Sequence, residues 1–391
     1  MTHTTAATPA TGSAITSPDN SADNRADNRA RRVTTVIIGA GQAGLATAYL
    51  LGRAGHDCVV LERHRRVGDQ WRHRYDSLLL NTPARYSSLP GRRFPGPRGA
   101  FPTASQLADY HEEYAGHFRI PVEGGVRVTA VEQCPDGTWR VTTDHGTYAA
   151  ENVVVATGGE THPKVPDVQR LLDPGIRQIH SGEYHNPDQL LPGPVLVVGL
   201  GQSGADIALE LAESGRDVHV SGRVRQEVPV DIDGVKMKIA IRVLWFVWNH
   251  VLTERTKAGR KVKARIRGGT MSAPLIRVKG RHLDAAGVHR TDARTTGAVD
   301  GMPQLDDGTV LDVSNVVWCT GFRQDFSFIH PSPVGDDGWP RDEGGVVPNL
   351  PGLYFMGLLF QRGFYSMLVG GAGRDAEHVA GHILARSRIA A

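Results

Sequence analysis

Short apolar runs recur along this chain, and most of them end at a glycine or turn. Val33 to Ile38, Cys58 to Leu61, Asn152 to Val155, Val195 to Val198, Val218 to Val220, Asn315 to Trp318 and Leu353 to Phe355 are almost unbroken and rich in β-branched residues. Runs of that length without alternation predict strands buried on both faces, as in a parallel sheet covered by helices. Apolar, Ala/Leu-rich segments to about Ala54 and from Ala205 to Ser214 predict those helices. Elsewhere the period changes to two. Val126 to Glu132, Trp139 to Thr143 and Thr147 to Ala150 alternate, parted by Pro135-Asp136-Gly137 and Asp144-His145-Gly146, so a small antiparallel ribbon is expected there. Ser105 is expected to cap a helix reaching about Phe118, with Tyr110, Tyr114 and Phe118 as core at helical spacing. Gly287 to Leu311 alternates between Gly and Asp-Gly turns, as hairpins do.

Two of the strand-to-helix junctions carry the same glycine spacing. The first reads Gly39-Ala40-Gly41-Gln42-Ala43-Gly44, with Glu62 closing the next strand roughly 20 residues on. Gly39 permits the tight turn, Gly41 lets backbone approach a pyrophosphate, and Gly44 lets helix pack on strand. The helix start turns unpaired N–H groups and a positive dipole end towards phosphates. Glu62 is placed to accept hydrogen bonds from a ribose hydroxyl, which points to FAD at this site. The second junction reads Gly199-Leu200-Gly201-Gln202-Ser203-Gly204, and its following strand ends in Ser221-Gly222-Arg223 instead of an acid. A carboxylate repels a 2′-phosphate, whereas a hydroxyl and a guanidinium bind one, so this site reads as NADPH. Ala156-Thr157-Gly158 and Thr320-Gly321 end two further strands, and strand-then-glycine endings in open parallel sheets face the ligand crevice. Gly370-Gly371-Ala372-Gly373 before the last helix reads the same way.

The expected fold class is therefore α/β with two Rossmann-type dinucleotide-binding domains. Residues 33–191 and 311–391 form a discontinuous FAD domain, and residues 192–310 form an inserted NADPH domain with a helical insert at 235–270. Residues 1–32, rich in Thr, Ala, Ser, Asp and Asn, are expected to be a disordered tail with no secretory signal. A net charge of +3 does not point to nucleic acid. Three scattered cysteines form neither a redox pair nor a metal quartet, so no metal is expected, and the sparse count suits a cytoplasmic location. Within the insert, Ile239 to Leu252 is apolar and aromatic but, at about fourteen residues, too short to span a bilayer. Basic residues follow to Arg267. A lid over the active site, membrane-surface contact through 239–267, and an ordinary packed helix with a solvated basic flank all fit.

The order of these motifs resembles the flavin-containing monooxygenase group, the class B flavoprotein monooxygenases. The likeness runs from about Val33 to the C-terminus and is carried by GAGQAG, Gly68-Asp69-Gln70-Trp71, Ala156 to Gly159, GLGQSG and Cys319 to Phe322. His180 and Tyr184 match the second half of the group's signature, while its leading Phe is absent. The resemblance implies FAD reduced by NADPH, with O2 then forming a C4a-hydroperoxyflavin that oxygenates a small-molecule substrate at an N, S or ketone centre. It places Gly68 to Trp71 along the flavin, and Asn81 as the active-site asparagine; a plain turn residue before Thr82-Pro83 is the other reading of Asn81. The expected cofactor contacts also take in Arg63, Val128 and Gly357. Two alternatives stand beside oxygenation: a reductase passing electrons to a quinone or protein acceptor, and a redox-sensing protein that keeps the nucleotides without turnover.

Overall fold

The computed structural model describes residues 30–159, 161–223, 226–232, 234–271 and 274–390. Most of the expected tail lies outside that range. Arg31 and Arg32, assigned to it from sequence, instead open the first strand and pair with Tyr148 and Ala149.

In chain order, β1 (Arg31–Ile38), α1 (Gln42–Arg53) and β2 (Cys58–Glu62) make the first parallel βαβ unit. A single helical turn, α2 (Asp69–Arg72), precedes α3 (Ala104–His117). Thr103, not Ser105, caps α3: its hydroxyl accepts from the Gln106 N–H at 3.1 Å and the Gln106 side chain accepts from the Thr103 N–H at 3.0 Å. That reciprocal pair satisfies two orphan donors at once, an advantage that Ser105, one turn position further in, does not have.

Next come β3 (Val122–Gly124), β4 (Val128–Gln133), β5 (Trp139–Thr143) and β6 (Gly146–Val155). The two strands expected at Thr147 and Asn152 are one strand of ten residues. Its first half pairs antiparallel with β5 and its second half parallel with β17 (Leu353–Phe355), while β1 runs along the other edge. The exposed Glu151 breaks the apolar run without breaking the ladder. With β16 (Ile329–His330) beyond β4, these strands form an eight-stranded sheet, seven in the order β16-β4-β5-β6-β1-β2-β3 and β17 paired with β6 off that path.

The second sheet has five strands, all parallel: β11 (His289–Thr291), β10 (Val218–Ser221), β9 (Val195–Val198), β14 (Asn315–Trp318) and β8 (Arg177–His180). The helix α4 (Gln202–Glu213) joins β9 to β10. β8 and β14 thus sit in the second sheet, although the sequence bounds placed both within the first unit's segments. In β14, Val316 and Val317 are fully buried between two strands, opposite Gln178 and Ile179 of β8 on one side and Leu196 and Val197 of β9 on the other.

The insert forms α5 (Val235–Phe246), a wider turn of helix at Val247–Val251, and α6 (Lys257–Arg267). A short helix, α7 (Gly280–Ala285), leads into β11, and α8 (Ala372–Ala390) closes the chain against α1. Among the described residues, no helix is long and apolar enough to cross a membrane.

Candidate functional site

The two glycine junctions fold into the same cradle. A Cβ on Gly39 would stand 2.7 Å from the Ala156 carbonyl oxygen, and one on Gly199 would stand 2.5 Å from that of Cys319. Both glycines also hold positive φ, at 105° and 100°, where other residues are strained. On Gly44 a Cβ would meet the Gly39 oxygen at 1.9 Å, and on Gly204 the Gly199 oxygen at 2.0 Å. The middle glycines differ from these. Gly41 faces only the tip of Gln70, at 3.0 Å, and Gly201 has nothing within 4 Å. The outer glycines are therefore required by the fold, whereas the middle ones leave room for a ligand. Gln42 and Ala43, like Gln202 and Ser203, open the helices α1 and α4 beside that room.

Glu62 is buried at the end of β2. Its carboxylate accepts from the Ala40 N–H at 2.8 Å and from the His64 N–H at 2.9 Å. Each oxygen keeps a lone pair, so a ribose hydroxyl can still bind. Arg63 beside it is exposed. Val128 begins β4 two residues after Val126, whose N–H bonds the Glu62 carbonyl at 2.9 Å, so β4 starts close to the end of β2. Gly357 follows β17 at φ 78°, and a Cβ there would stand 3.2 Å from the side chain of Ala43, at the start of α1.

One side of the first cradle is built by α2. Gly68 takes a left-handed conformation, and a Cβ there would stand 2.4 Å from the Ala108 carbonyl, so α2 lies directly on α3. Arg72 fixes it by bonding Asp69, Asp109 and Glu112 at 3.0, 2.9 and 2.8 Å. Gln70 is thereby held over Gly41. Two polar atoms are buried here without a partner among the described residues: the Trp71 indole N–H and the Thr157 hydroxyl. Buried polar atoms are normally satisfied, so these two fit a bound polar ligand such as FAD. Gly158, next to Thr157, has φ 75° and open space where its side chain would be.

The second cradle opens on a cavity of about 430 Å³ lined by Leu200, Gly222, Asp284, Arg290, Thr291 and Asp292. Arg223 is exposed at its edge of the sheet. Ser221 differs from the expectation for a phosphate ligand. It is buried, and its hydroxyl shares a 2.7 Å hydrogen bond with Thr295, because the last strand residue points into the sheet's own packing. Sequence reasoning missed Arg290, whose guanidinium is held in two bonds of 2.7 and 2.8 Å to Asp284. Thr320 bonds the Lys164 carbonyl, and Gly321 accepts from His180 at 3.0 Å. His180 also accepts from the Gly182 N–H at 3.0 Å, and Tyr184 donates to Glu210 at 2.8 Å. That matched signature half is accordingly internal scaffolding of the second sheet.

Between the cradles lies the loop from Tyr75 to Asn81. The Asn81 side-chain amide stands 3.5 Å from the Gln202 side-chain oxygen at the start of α4. Nearby, Tyr75 donates to Asp206 at 2.8 Å, and the Arg277 guanidinium reaches the Leu80 carbonyl at 3.3 Å. Burial raises the Asp206 carboxyl, with the Tyr75 bond and the Arg277 charge opposing it. The insert covers this region. Trp245 stacks on Tyr86 at 4.6 Å, Trp248 stacks on Phe364 at 5.2 Å, and Asn249 binds Arg374 at 2.7 Å. The glycines before α8 are required by close packing. Gly370 and Gly371 abut the carbonyls of Tyr86 and Tyr365, and Gly373 abuts Pro90.

The thiols take no part in this site. Burial pushes Cys58 up to about 11 and Cys319 up to about 12, so both stay protonated near neutrality, and all three cysteines are free.

Two dinucleotide cradles of the same build fit an oxidoreductase that uses FAD and NADPH. Residues 36–243 match the model of the pyridine nucleotide-disulphide oxidoreductase family. An uncharacterised oxidoreductase described as CzcO-like, from Geobacillus kaustophilus, is 37% identical over 354 residues, which is 90% of this chain and 98% of the relative. A probable indole-3-pyruvate monooxygenase of Arabidopsis thaliana, YUCCA3, is 29% identical over 90% of this chain and 86% of its own length. Among solved structures, a flavin-containing monooxygenase from Stenotrophomonas maltophilia superposes with a TM-score of 0.69 at 26% identity, covering 91% of this chain and 99% of that one. The chain belongs to the pyridine nucleotide-disulphide oxidoreductase family and, within it, to the class B flavoprotein monooxygenases. It is an NADPH-dependent flavoprotein monooxygenase that acts on a small-molecule substrate with O2.

Proposed function

We propose that this monooxygenase places one oxygen atom on a nitrogen, a sulfur or a ketone centre of an apolar organic acid, with Asn81 as the residue nearest the reacting atoms. NADPH supplies two electrons, the second oxygen atom leaves as water, and bound FAD supplies the redox chemistry that links them. The observation that carries this reading is the place of Asn81, on the loop between the cradles and 3.5 Å from the first residue of α4. An amide there offers a fixed donor where charge develops, which stabilises it without reorganisation.

The other residues have distinct tasks. Trp71 and Thr157 offer their buried donors to the flavin, Glu62 takes the ribose, and Arg223 with Arg290 takes the 2′-phosphate. The Trp245–Tyr86 stack excludes water from the site, which oxygen transfer requires. Arg85 and Arg277, lying over Tyr86 and Phe101 at 4.8 and 4.7 Å, add cations to an aromatic wall. Such a wall suits a carboxylated apolar substrate, the chemistry named in the indole-3-pyruvate relatives. On this reading each sheet belongs to one nucleotide domain, with β8 and β14 assigned to the NADPH domain. Free, sparse cysteines fit action in the cytoplasm.

The test is anaerobic reduction by NADPH followed by rapid mixing with oxygen while the flavin spectrum is recorded, with and without an aromatic 2-oxo acid. A transient species distinct from oxidised and reduced flavin, discharged faster by the acid, is the expected result. Direct return to oxidised flavin with stoichiometric peroxide under both conditions overturns the reading.

A further inference from the structure

The inner side of the insert is accounted for by the site; its outer side is not. Residues 235–267 contain ten lysines and arginines and a single carboxylate, Glu254, in a chain with 44 Lys and Arg against 41 Asp and Glu. The remainder of the chain is therefore net acidic, and the positive charge is concentrated here.

The helix α6 is polarised along its length. Lys263 and Arg267, four apart, turn inward: Lys263 bonds Glu254 at 3.3 Å and the Gln361 carbonyl at 2.9 Å, and Arg267 bonds Asp342 at 3.2 Å. Lys257, Lys261 and Arg265 form a second row at the same spacing, and all three are exposed. The helix α5 is divided in the same way. Ile241 is buried and Trp245 packs inward, whereas Val243 and Phe246 are 62% and 59% exposed. Val251, also exposed, ends this stretch, and its carbonyl accepts the hydroxyl of Thr256, the residue that caps α6. Exposed apolar side chains thus run directly into an exposed cationic row.

Isolated exposed apolar residues need no explanation, but apolar residues bordered by unneutralised cations match a segment lying in the plane of an anionic membrane surface. We propose that the outer face of residues 242–265 docks this enzyme on an anionic lipid bilayer, with Val243, Phe246 and Val251 entering the headgroup region and Lys257, Lys261 and Arg265 facing the lipid phosphates. The contact is peripheral, and juxtaposed basic residues of this kind respond to anionic lipid within a Debye length. It leaves the inner face of the insert on Tyr86 and Phe364, so docking and site closure use opposite sides of one segment. This proposal does not depend on the substrate assignment.

The test is flotation of the full-length, FAD-loaded protein with vesicles of phosphatidylcholine alone or mixed equally with phosphatidylglycerol. Expected is binding to the mixed vesicles only, weakening as salt is raised. The triple variant K257E/K261E/R265E should lose affinity by about a hundredfold or more, since each cation near such a surface is worth about fivefold. Phe246→Asp should weaken binding by about tenfold, the scale of one buried apolar side chain. Both variants should keep wild-type flavin content and solution NADPH oxidation, which separates loss of docking from loss of fold. Binding to neither vesicle, equal binding to both, or binding unchanged in the triple variant overturns the proposal. So does a concentration-dependent dimer, seen by sedimentation and abolished by Phe246→Asp without vesicle binding, because the face would then be an interface between copies.

Discussion

The hydroxyl of Tyr75 donates a 2.8 Å hydrogen bond to the carboxylate of Asp206, which joins the loop after α2 to the first turns of α4. Both groups are largely buried, and burial raises both the Tyr75 and the Asp206 ionisations. The bond therefore connects the flavin-side loop to the helix that opens the NADPH cradle. Removing the donor with Tyr75→Phe leaves a buried carboxylate short of a partner, which should cost about 1–3 kcal/mol of stability. Thermal melts of Tyr75→Phe, Asp206→Asn and the double variant test this. Two single effects that add without coupling would show that the residues do not act as a pair.

The cradle glycines separate folding from binding. Gly41 and Gly201 have room for a side chain in the protein alone, whereas Gly44 and Gly204 do not. Gly41→Val should therefore give folded protein without FAD, and Gly201→Val should give flavinated protein that NADPH no longer reduces. Gly44→Val should instead fail to accumulate as folded protein. Circular dichroism and flavin absorbance distinguish the three outcomes. A fully flavinated Gly41→Val removes the assignment of the first cradle.

Arg223 is exposed just after β10 and forms no ion pair with another described residue, so its charge is free to meet a phosphate. Arg223→Ala should weaken NADPH by the value of a hydrogen bond to a charged group, about 1.5–3 kcal/mol, and leave NADH nearly unchanged. Steady-state KM values for the two coenzymes measure this, and equal effects on both would exclude phosphate recognition by Arg223.

His111 on α3 is fully buried with neither ring nitrogen partnered among the described residues, and burial lowers it to about 3. The folded state holds it neutral, whereas the unfolded chain protonates it near pH 6.5. Its contribution is therefore complete above that pH and is lost as pH falls. The loss is about 2 kcal/mol between pH 6.5 and 5. Urea unfolding of wild type and His111→Leu at both pH values should show the wild type losing that much more than the variant. Parallel losses would mean that His111 is protonated in the folded state.

The parts of this molecule that were legible in the sequence are those whose chemistry is local. Three glycines at fixed spacing, a strand before and a helix after specify a cradle within thirty residues, and Glu62 lies inside the same unit. What pairs across distance was not legible. Tyr75 and Asp206 are 131 residues apart, and nothing in either neighbourhood marks the other. The allocation of β8 and β14 to the second sheet depended on strand partners far along the chain, beyond what the apolar runs encode. The inward turn of the Ser221 hydroxyl to Thr295, 74 residues away, was hidden for the same reason. The insert's two faces were hidden for a related reason: its apolar and basic residues were visible, but which of them met Tyr86 and Phe364 depended on the packed whole.

Gly39 against Ala156 and Gly199 against Cys319 repeat one close approach, at which an added Cβ would stand 2.7 and 2.5 Å from the facing carbonyl oxygen. Grip and choice are consequently separate modules here. The grip is backbone, shared and indifferent to which dinucleotide arrives; on the proposed assignment the choice rests on side chains at the ends of β2 and β10, with Arg290 of β11 beside them. A graft of those strand ends alone, acid for guanidinium, should exchange the coenzyme preference of the second half while leaving its architecture as it stands.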